Sequence, residues 1–390
     1  MADNGVMPTT YDADGTLPVF VPHLGPEVHE AVGKALEVGY LGLGPATAVF
    51  EQQLATWLGL QGRHLTATNS CTSALHLAAL LAGLGPGDEV ITPSFTYVAA
   101  HQAMTMTGAD VVFADINDRS LTIDPGRVRE LVTDRTKAIM VCHYAGSVGD
   151  LAGLYELAEE HGLRVIEDAA HALGSLLPDD TYVGSSGDLV AFSFGPVKTL
   201  TTLEGGALIT SSPHEDRVNR ERRMLGADLD LDARGRRERF WEYDVVRQGY
   251  RYHLGTVPAI VGQSQLTMLD TFLANRRAYC AEYDARLADV PEVSAVGVDW
   301  SRVGPFVYVA RVQAGTRDDL LGHLKGCGVG ANVHWAMGVH TFSQYAGARR
   351  GDLSVTERVC EEVITLPLWS FMPEKARDRV VDGVRSFYGA

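Results

Sequence analysis

Four short segments of the chain carry side chains whose types could do chemistry together. The run Asn69-Ser70-Cys71-Thr72-Ser73 places three hydroxyls in a polar turn that feeds an apolar helix. Free backbone N–H groups at a helix start, backed by hydroxyls, form an anion site. An ordinary N-cap would use one of those hydroxyls and leave the others over. In Glu167-Asp168-Ala169-Ala170-His171 an acid follows the apolar pair Val165-Ile166, at the end of a central strand. A carboxylate there is costly to desolvate unless it meets a cation; the alternative is a structural aspartate already satisfied. Ser193 stands in Ala191-Phe192-Ser193-Phe194, a hydroxyl in an otherwise apolar strand end. Lys198 follows five residues later, flanked by Val197 and Leu200 and ahead of Glu204-Gly205-Gly206. A loop lysine is usually solvated, but an apolar setting lowers its pKa and makes the amine a nucleophile. An anion cradle, a buried carboxylate, a hydroxyl and a lysine at one sheet edge are what pyridoxal 5′-phosphate asks of a protein. On these residues alone the blander readings stay open.

The elements that must position these groups alternate in the first half of the chain. Strand-like runs fall at His64–Asn69, Glu89–Thr92, Val111–Asp115, Ala138–Cys142, Arg164–Glu167, Leu189–Ser193 and Ala207–Thr210. Thr72–Leu84 is apolar nearly all round and predicts a buried helix. Leu151–His161 has apolar residues at helical spacing. Strand and helix in alternation read as an α/β fold with a mostly parallel, seven-stranded sheet covered on both faces. Ligands of such sheets sit beyond the carboxyl ends of the strands, which is where the four segments fall. Two amphipathic stretches precede this block, Glu27–Leu36 and the face of Phe50, Leu54, Trp57 and Leu58. An arginine-rich stretch, Asn219 to Arg239, follows it and reads as a solvated helix and loop, or as a mobile segment near the site. Beyond it come a helix-like run (Val257–Leu273), weak strands near Phe306–Val312 and a closing amphipathic helix with Val380, Val381, Val384 and Phe387. The expected division is a large domain over 20–247 and a smaller C-terminal α+β domain over 248–390.

Composition narrows the function classes. The 390 residues include 33 Lys and Arg against 49 Asp and Glu, a net charge of −16. That argues against nucleic acid or an anionic membrane as partner, and leaves anionic small molecules open. No apolar run is long enough to span a bilayer, and Met1–Thr10 lacks the order of a signal peptide. The five cysteines are far apart and form no CxxC pair, which suits reduced thiols in a cytoplasm and no bound metal.

Five segments, taken in order, resemble the DegT/DnrJ/StrS-type sugar-nucleotide aminotransferases, a branch of the fold-type I pyridoxal phosphate enzymes. They are Asn69–Leu75, Gly85–Tyr97, Thr136–Gly146, Glu167–Ala172 and Phe192–Lys198. The resemblance implies that Lys198 carries the cofactor as an imine and then moves the proton between Cα and C4′. Asp168 would pair with the pyridine nitrogen, and Tyr97 would stack on the ring. His171 stands where the family often has Gln, near the ring oxygen. Ser70, the backbone amides of Cys71 and Thr72, and the Thr72 and Ser193 hydroxyls would hold the phosphate. Cys71 replaces a usual Gly, which is tolerable where φ is negative. In Gly249-Tyr250-Arg251-Tyr252-His253-Leu254, Arg251 takes the place of an Asn that reaches the partner's phosphate across a homodimer. Its other readings are a contact to the substrate's diphosphate or a plain surface arginine. The implied reaction moves an amino group from an amino acid, L-glutamate, to a keto-sugar nucleotide such as a dTDP-keto-6-deoxyhexose, for antibiotic or cell-surface glycan biosynthesis. The competing acceptor is a keto-cyclitol of the scyllo-inosose type. Sugar dehydration ranks low because Lys198 is present. A pyridoxal phosphate-binding regulatory protein is the reading from another class. His334, Trp335 and His340 lie where the family has a substrate loop, but its usual proline is missing and no role is assigned to them. Gly39–Gly44 is a weak signal for a loop over the sugar.

Overall fold

A computed structural model of the protein describes residues 15–228 and 243–390. The expectations for Met1–Thr10 and for the arginine-rich stretch from Leu229 to Arg239 lie outside the described residues. The central sheet has seven strands: β1 (His64–Thr68), β2 (Glu89–Pro93), β3 (Asp110–Ala114), β4 (Thr136–Cys142), β5 (Arg164–Asp168), β6 (Leu189–Ser193) and β7 (Gly206–Thr210). Their order is β1-β7-β6-β5-β4-β2-β3. Strands β3, β2, β4, β5 and β6 run parallel, and β7 is antiparallel to both β6 and β1. The register sets Cys142 of β4 beside Asp168 of β5, and Asp168 beside Ala191 of β6, at one level of the carboxyl edge.

The strands read as unbroken apolar runs because each side is covered. Ala138 and Met140 face a layer with Ala74, Leu77 and Ala103, while Ile139 and Val141 face Leu154, Leu157 and Ala158. That is the two-residue alternation of a strand. Helix α1 (Pro26–Val38) packs on the later helix Thr256–Leu266. The covering helices are α2 (Pro45–Trp57), α3 (Cys71–Leu81), α4 (Val98–Thr105), α5 (Pro125–Arg129), α6 (Leu151–His161) and α7 (Pro213–Arg223). Ser70 caps α3, its hydroxyl accepting from the Ser73 N–H at 3.1 Å. Asp150 caps α6 in the same way, and Gly162 ends it at φ 65°.

Strand β1 sits at the sheet's edge and leads into the polar turn at Asn69. It is tied down by Glu51 of α2. One Glu51 oxygen accepts from the Ala67 N–H at 2.8 Å and from Arg223; the other accepts from Arg220 at 2.9 Å. The two arginines also donate to the carbonyls of Leu65 and Ala67. Arg223 is therefore buried, and Asn219 on the same helix is buried as well, which corrects the expectation of a solvated helix for this part of the arginine-rich stretch. For Arg223 the reason is a carboxylate far away in sequence.

A second sheet, β8 (Val293–Ala295), β9 (Tyr308–Val312) and β10 (Val363–Leu366), is antiparallel with β9 in the middle. Its core takes Cys280, Tyr283 and Leu287 from the helix Leu269–Leu287 and Val380, Val381 and Val384 from the closing helix Glu374–Tyr388. The N-terminal arm joins it: Leu17 exchanges backbone hydrogen bonds with Gly328 and Gly330. The run Val257–Leu273 is not one helix. It breaks between Thr256–Leu266 and Leu269–Leu287, because the Thr267 hydroxyl and N–H both turn to the Ser264 carbonyl.

Candidate active site

Eight of the residues singled out from sequence line one cavity of about 410 Å³ beyond the carboxyl ends of β4, β5 and β6. They are Ser70, Cys71, Thr72, Tyr97, Asp168, His171, Ser193 and Lys198. Each is placed by an element that ends there. Helix α3 starts at Cys71, so the Cys71 and Thr72 N–H groups have no partner within the helix and open toward the cavity wall. Cys71 has negative φ, and the exchange from glycine carries no strain. Gly206 of β7 makes room for this turn: a Cβ there would lie 2.6 Å from the Cys71 nitrogen.

Asp168 closes β5 and is 6% exposed. Its Oδ1 accepts from the Ala170 N–H at 3.0 Å, and the Cys71 thiol lies 3.9 Å away. Burial pushes its carboxyl up, against the opposing pull of that N–H, Lys198 and His143. Behind it His143, fully buried, donates its backbone N–H to the Asp168 carbonyl at 3.0 Å and its Nε2–H to Glu167 at 2.7 Å. Tyr155 donates to the other Glu167 oxygen at 2.6 Å. This buried network fixes the end of β5.

Lys198 reaches the cavity from the loop between β6 and β7. Its Nζ lies 3.8 Å from the centre of the Phe306 ring. Burial lowers its pKa to about 8, with Asp168 pulling the other way. His171 is pushed well below the usual histidine range by burial, so it is neutral, and its buried Nδ1 has no hydrogen-bond partner among the described residues.

The ninth candidate, Arg251, does not line the cavity. Its side chain is exposed, and its carbonyl accepts from the Asn69 side chain at 3.3 Å, next to the polar turn. Sequence reasoning also left residues out. Phe20, Cys142, Phe306, His334 and Trp335 are also part of the wall. His334 and Trp335, which sequence left without a role, face the site: Trp335 stacks on Tyr97 with ring centres 5.3 Å apart, and Tyr144 donates to the His334 carbonyl. Burial lowers the His334 pKa to about 4. His340 is elsewhere, 2.7 Å from Ser94 and 3.3 Å from Glu357.

The donor set fits pyridoxal phosphate. Open helix N–H groups with hydroxyls suit a phosphate. Among the described residues the buried Asp168 carboxyl, its pKa raised, forms no ion pair, and the buried His171 Nδ1 has no hydrogen-bond partner. A primary amine of lowered pKa stands in the same cavity.

The description "DegT/DnrJ/EryC1/StrS aminotransferase family" matches the chain over residues 22–385. Among solved structures, the chain is similar to the aminotransferase TlmJ from Streptoalloteichus hindustanus, at 33% identity over 95% of this chain and 98% of that one, with a TM-score of 0.88. It is 32% identical to S. venezuelae DesV, solved in complex with a ketimine intermediate, covering 93% of this chain and 95% of that one at a TM-score of 0.84. DesI, solved in the presence of its TDP-sugar product, is 29% identical, with 96% and 93% covered and a TM-score of 0.85. Among the described residues no helix is long and apolar enough to cross a membrane, and no cluster of potential metal ligands occurs.

Proposed function

Because the chain belongs to the DegT/DnrJ/EryC1/StrS aminotransferase family, we propose that this pyridoxal phosphate-dependent aminotransferase moves an amino group from L-glutamate to a keto-sugar nucleotide. A dTDP-keto-6-deoxyhexose is the acceptor this reading favours, and an amino sugar for antibiotic or cell-surface glycan biosynthesis is the product. The observation that carries it is the meeting of Lys198, Asp168 and the open start of α3 in one cavity. The acceptor class draws support from the similarity to DesI, solved in the presence of its TDP-sugar product.

Bound pyridoxal phosphate supplies an aldehyde carbon that exchanges amines and a cationic ring that takes up electrons from the substrate's α-carbon. The chain's residues do the rest. Lys198 would hold the group through Nζ and, when free, take the proton from the donor's α-carbon and return it to the former aldehyde carbon of the group. An amine with a pKa near 8 suits both halves of that transfer near neutral pH. Asp168 would keep the ring nitrogen protonated; its burial makes that contact strong because little water competes. The Cys71 and Thr72 N–H groups, with the Ser70, Thr72 and Ser193 hydroxyls, would hold the phosphate. His171 would contact the ring oxygen, and Tyr97 would cover one ring face.

A homodimer completes this reading. Arg251 would reach the phosphate in the partner subunit, a charge-assisted contact. Val197 and Leu203, flanking Lys198, are exposed apolar residues that such an interface would cover. Sedimentation in solution checks it; a monomer that is fully active removes it. The free thiols fit a cytoplasmic protein.

Absorbance tests the function directly. Purified protein is expected to be yellow, glutamate to bleach the band, and a keto-sugar nucleotide to restore it. Restoration by scyllo-inosose alone would move the assignment to cyclitols. Wild-type protein that binds no pyridoxal phosphate would overturn the account.

A further inference from the structure

The ring under the Lys198 amine is held as firmly as the lysine. Phe20 stacks on Phe306 with centres 5.1 Å apart and planes within 9°. The His171 ring lies 4.6 Å from it. Arg276, 1% exposed, donates to the Phe306 carbonyl at 3.1 Å and to the Ser370 hydroxyl at 3.0 Å. On the lysine side, the Thr199 hydroxyl donates to the Pro305 carbonyl at 3.4 Å. The segments 198–199 and 305–306 are thus tied to each other through backbone neighbours of both the amine and the ring.

The charged and titratable groups around the amine are Asp168 at the end of β5, Cys71 at the start of α3 and Cys142 at the end of β4. His171 and His334 also feel its charge. Among the described residues no carboxylate forms an ion pair with Nζ, and the nearest stabilising surface is the aromatic face. A carboxylate in contact would hold the amine permanently charged. An aromatic face attracts an ammonium more weakly and places no demand on a neutral amine. A base that must gain and lose a proton in one turnover is served by the second arrangement.

We propose that Phe306 is a positioning residue: its ring face is the seat that the Lys198 amine occupies whenever that amine is not bonded to the cofactor. The seat holds the amine over the cavity without fixing its proton. This rests on the reading of Lys198 as the cofactor's lysine.

The test is competitive trace labelling of lysines with acetic anhydride as pH is raised, each lysine peptide being read by mass spectrometry. It is run on the full-length chain freed of cofactor, and on holoenzyme converted by glutamate to its pyridoxamine form. Exposed Lys34 serves as the internal reference. Loss of the ring removes attraction for the ammonium, so Phe306→Leu is expected to lower the Lys198 midpoint by about 0.4 to 1.5 pH units. Phe306→Tyr keeps the face and is expected to stay within about 0.3 unit of wild type. Phe306→Met replaces the Leu variant if that one fails to fold. A midpoint that is unmoved or raised in the aliphatic variants overturns the proposal. Borohydride fixation of the cofactor on Lys198 in the same variants separates the two readings. Fixation at Lys198 with an unmoved midpoint removes the seat alone, and fixation elsewhere removes the functional assignment.

Discussion

Glu51→Ala probes how the edge strand delivers the phosphate turn. Glu51 is 6% exposed and shared by Arg220, Arg223 and the Ala67 N–H. Removing one partner of a buried ion pair costs about 3–5 kcal/mol, because the remaining charge stays buried. Arg220 keeps Asp216 at 2.9 Å, and Arg223 keeps the Ala67 carbonyl at 2.8 Å. The expected loss is therefore at the lower end, about 3 kcal/mol. Glu51→Gln retains an acceptor for Ala67 and should lose about half as much. The pH dependence has a defined sign. Burial raises the Glu51 carboxyl, but Arg223, Arg220 and the Ala67 N–H more than offset it and leave it below its ordinary value. A depressed carboxyl contributes stability above its unfolded pKa, about 4.3, and loses it as pH falls through the lower folded value. Urea unfolding followed by tryptophan fluorescence should show the full gap between wild type and Glu51→Ala at neutral pH. The gap should narrow only in acid. Because β1 runs into Asn69 and Ser70, affinity for pyridoxal phosphate should fall with it. A variant within about 1 kcal/mol of wild type at neutral pH refutes the reasoning.

The close approach of β7 to the phosphate turn gives a second prediction. Gly206→Ala would set a Cβ 2.6 Å from both the Cys71 nitrogen and the Ser70 carbonyl carbon, backbone atoms that cannot swing aside. Its dissociation constant for pyridoxal phosphate, from absorbance titration, should rise about tenfold or more, and an unchanged value would contradict the fit. Recapture of the cofactor by the stripped chain needs the neutral amine of Lys198. Since burial lowers that amine to about 8, the reconstitution rate should climb with pH and level off above it. A plateau reached only near 10.5 would mean the lysine is solvated. His334, held to about 4 by burial, should add no limb to this profile between about pH 5 and 8.

The strands were legible because a sheet covered on both faces needs apolar residues at every position, and turns interrupt them sharply. Eight candidate site residues were legible because they follow strand ends, where chain order and spatial order agree. The aromatic wall was not. Phe20 and Phe306 come from the N-terminal arm and the approach to β9, and a phenylalanine in an apolar run reads as core. His334 and Trp335 gain meaning only through Tyr97 and Tyr144, which lie far off in sequence. The break at Thr267 was hidden because apolar spacing continues across it, while the cause is a local hydrogen bond to Ser264. The burial of Arg223 was equally hidden, since nothing near it in sequence announces Glu51 as its partner.

The central claim is that the amine of Lys198 holds pyridoxal phosphate covalently. Reduction of the yellow holoenzyme with borohydride, followed by peptide mass mapping, reads that bond directly. The expected result is a single pyridoxyl tag on the peptide containing Lys198, absent from Lys198→Ala protein. A tag on another lysine, or on none, contradicts the account.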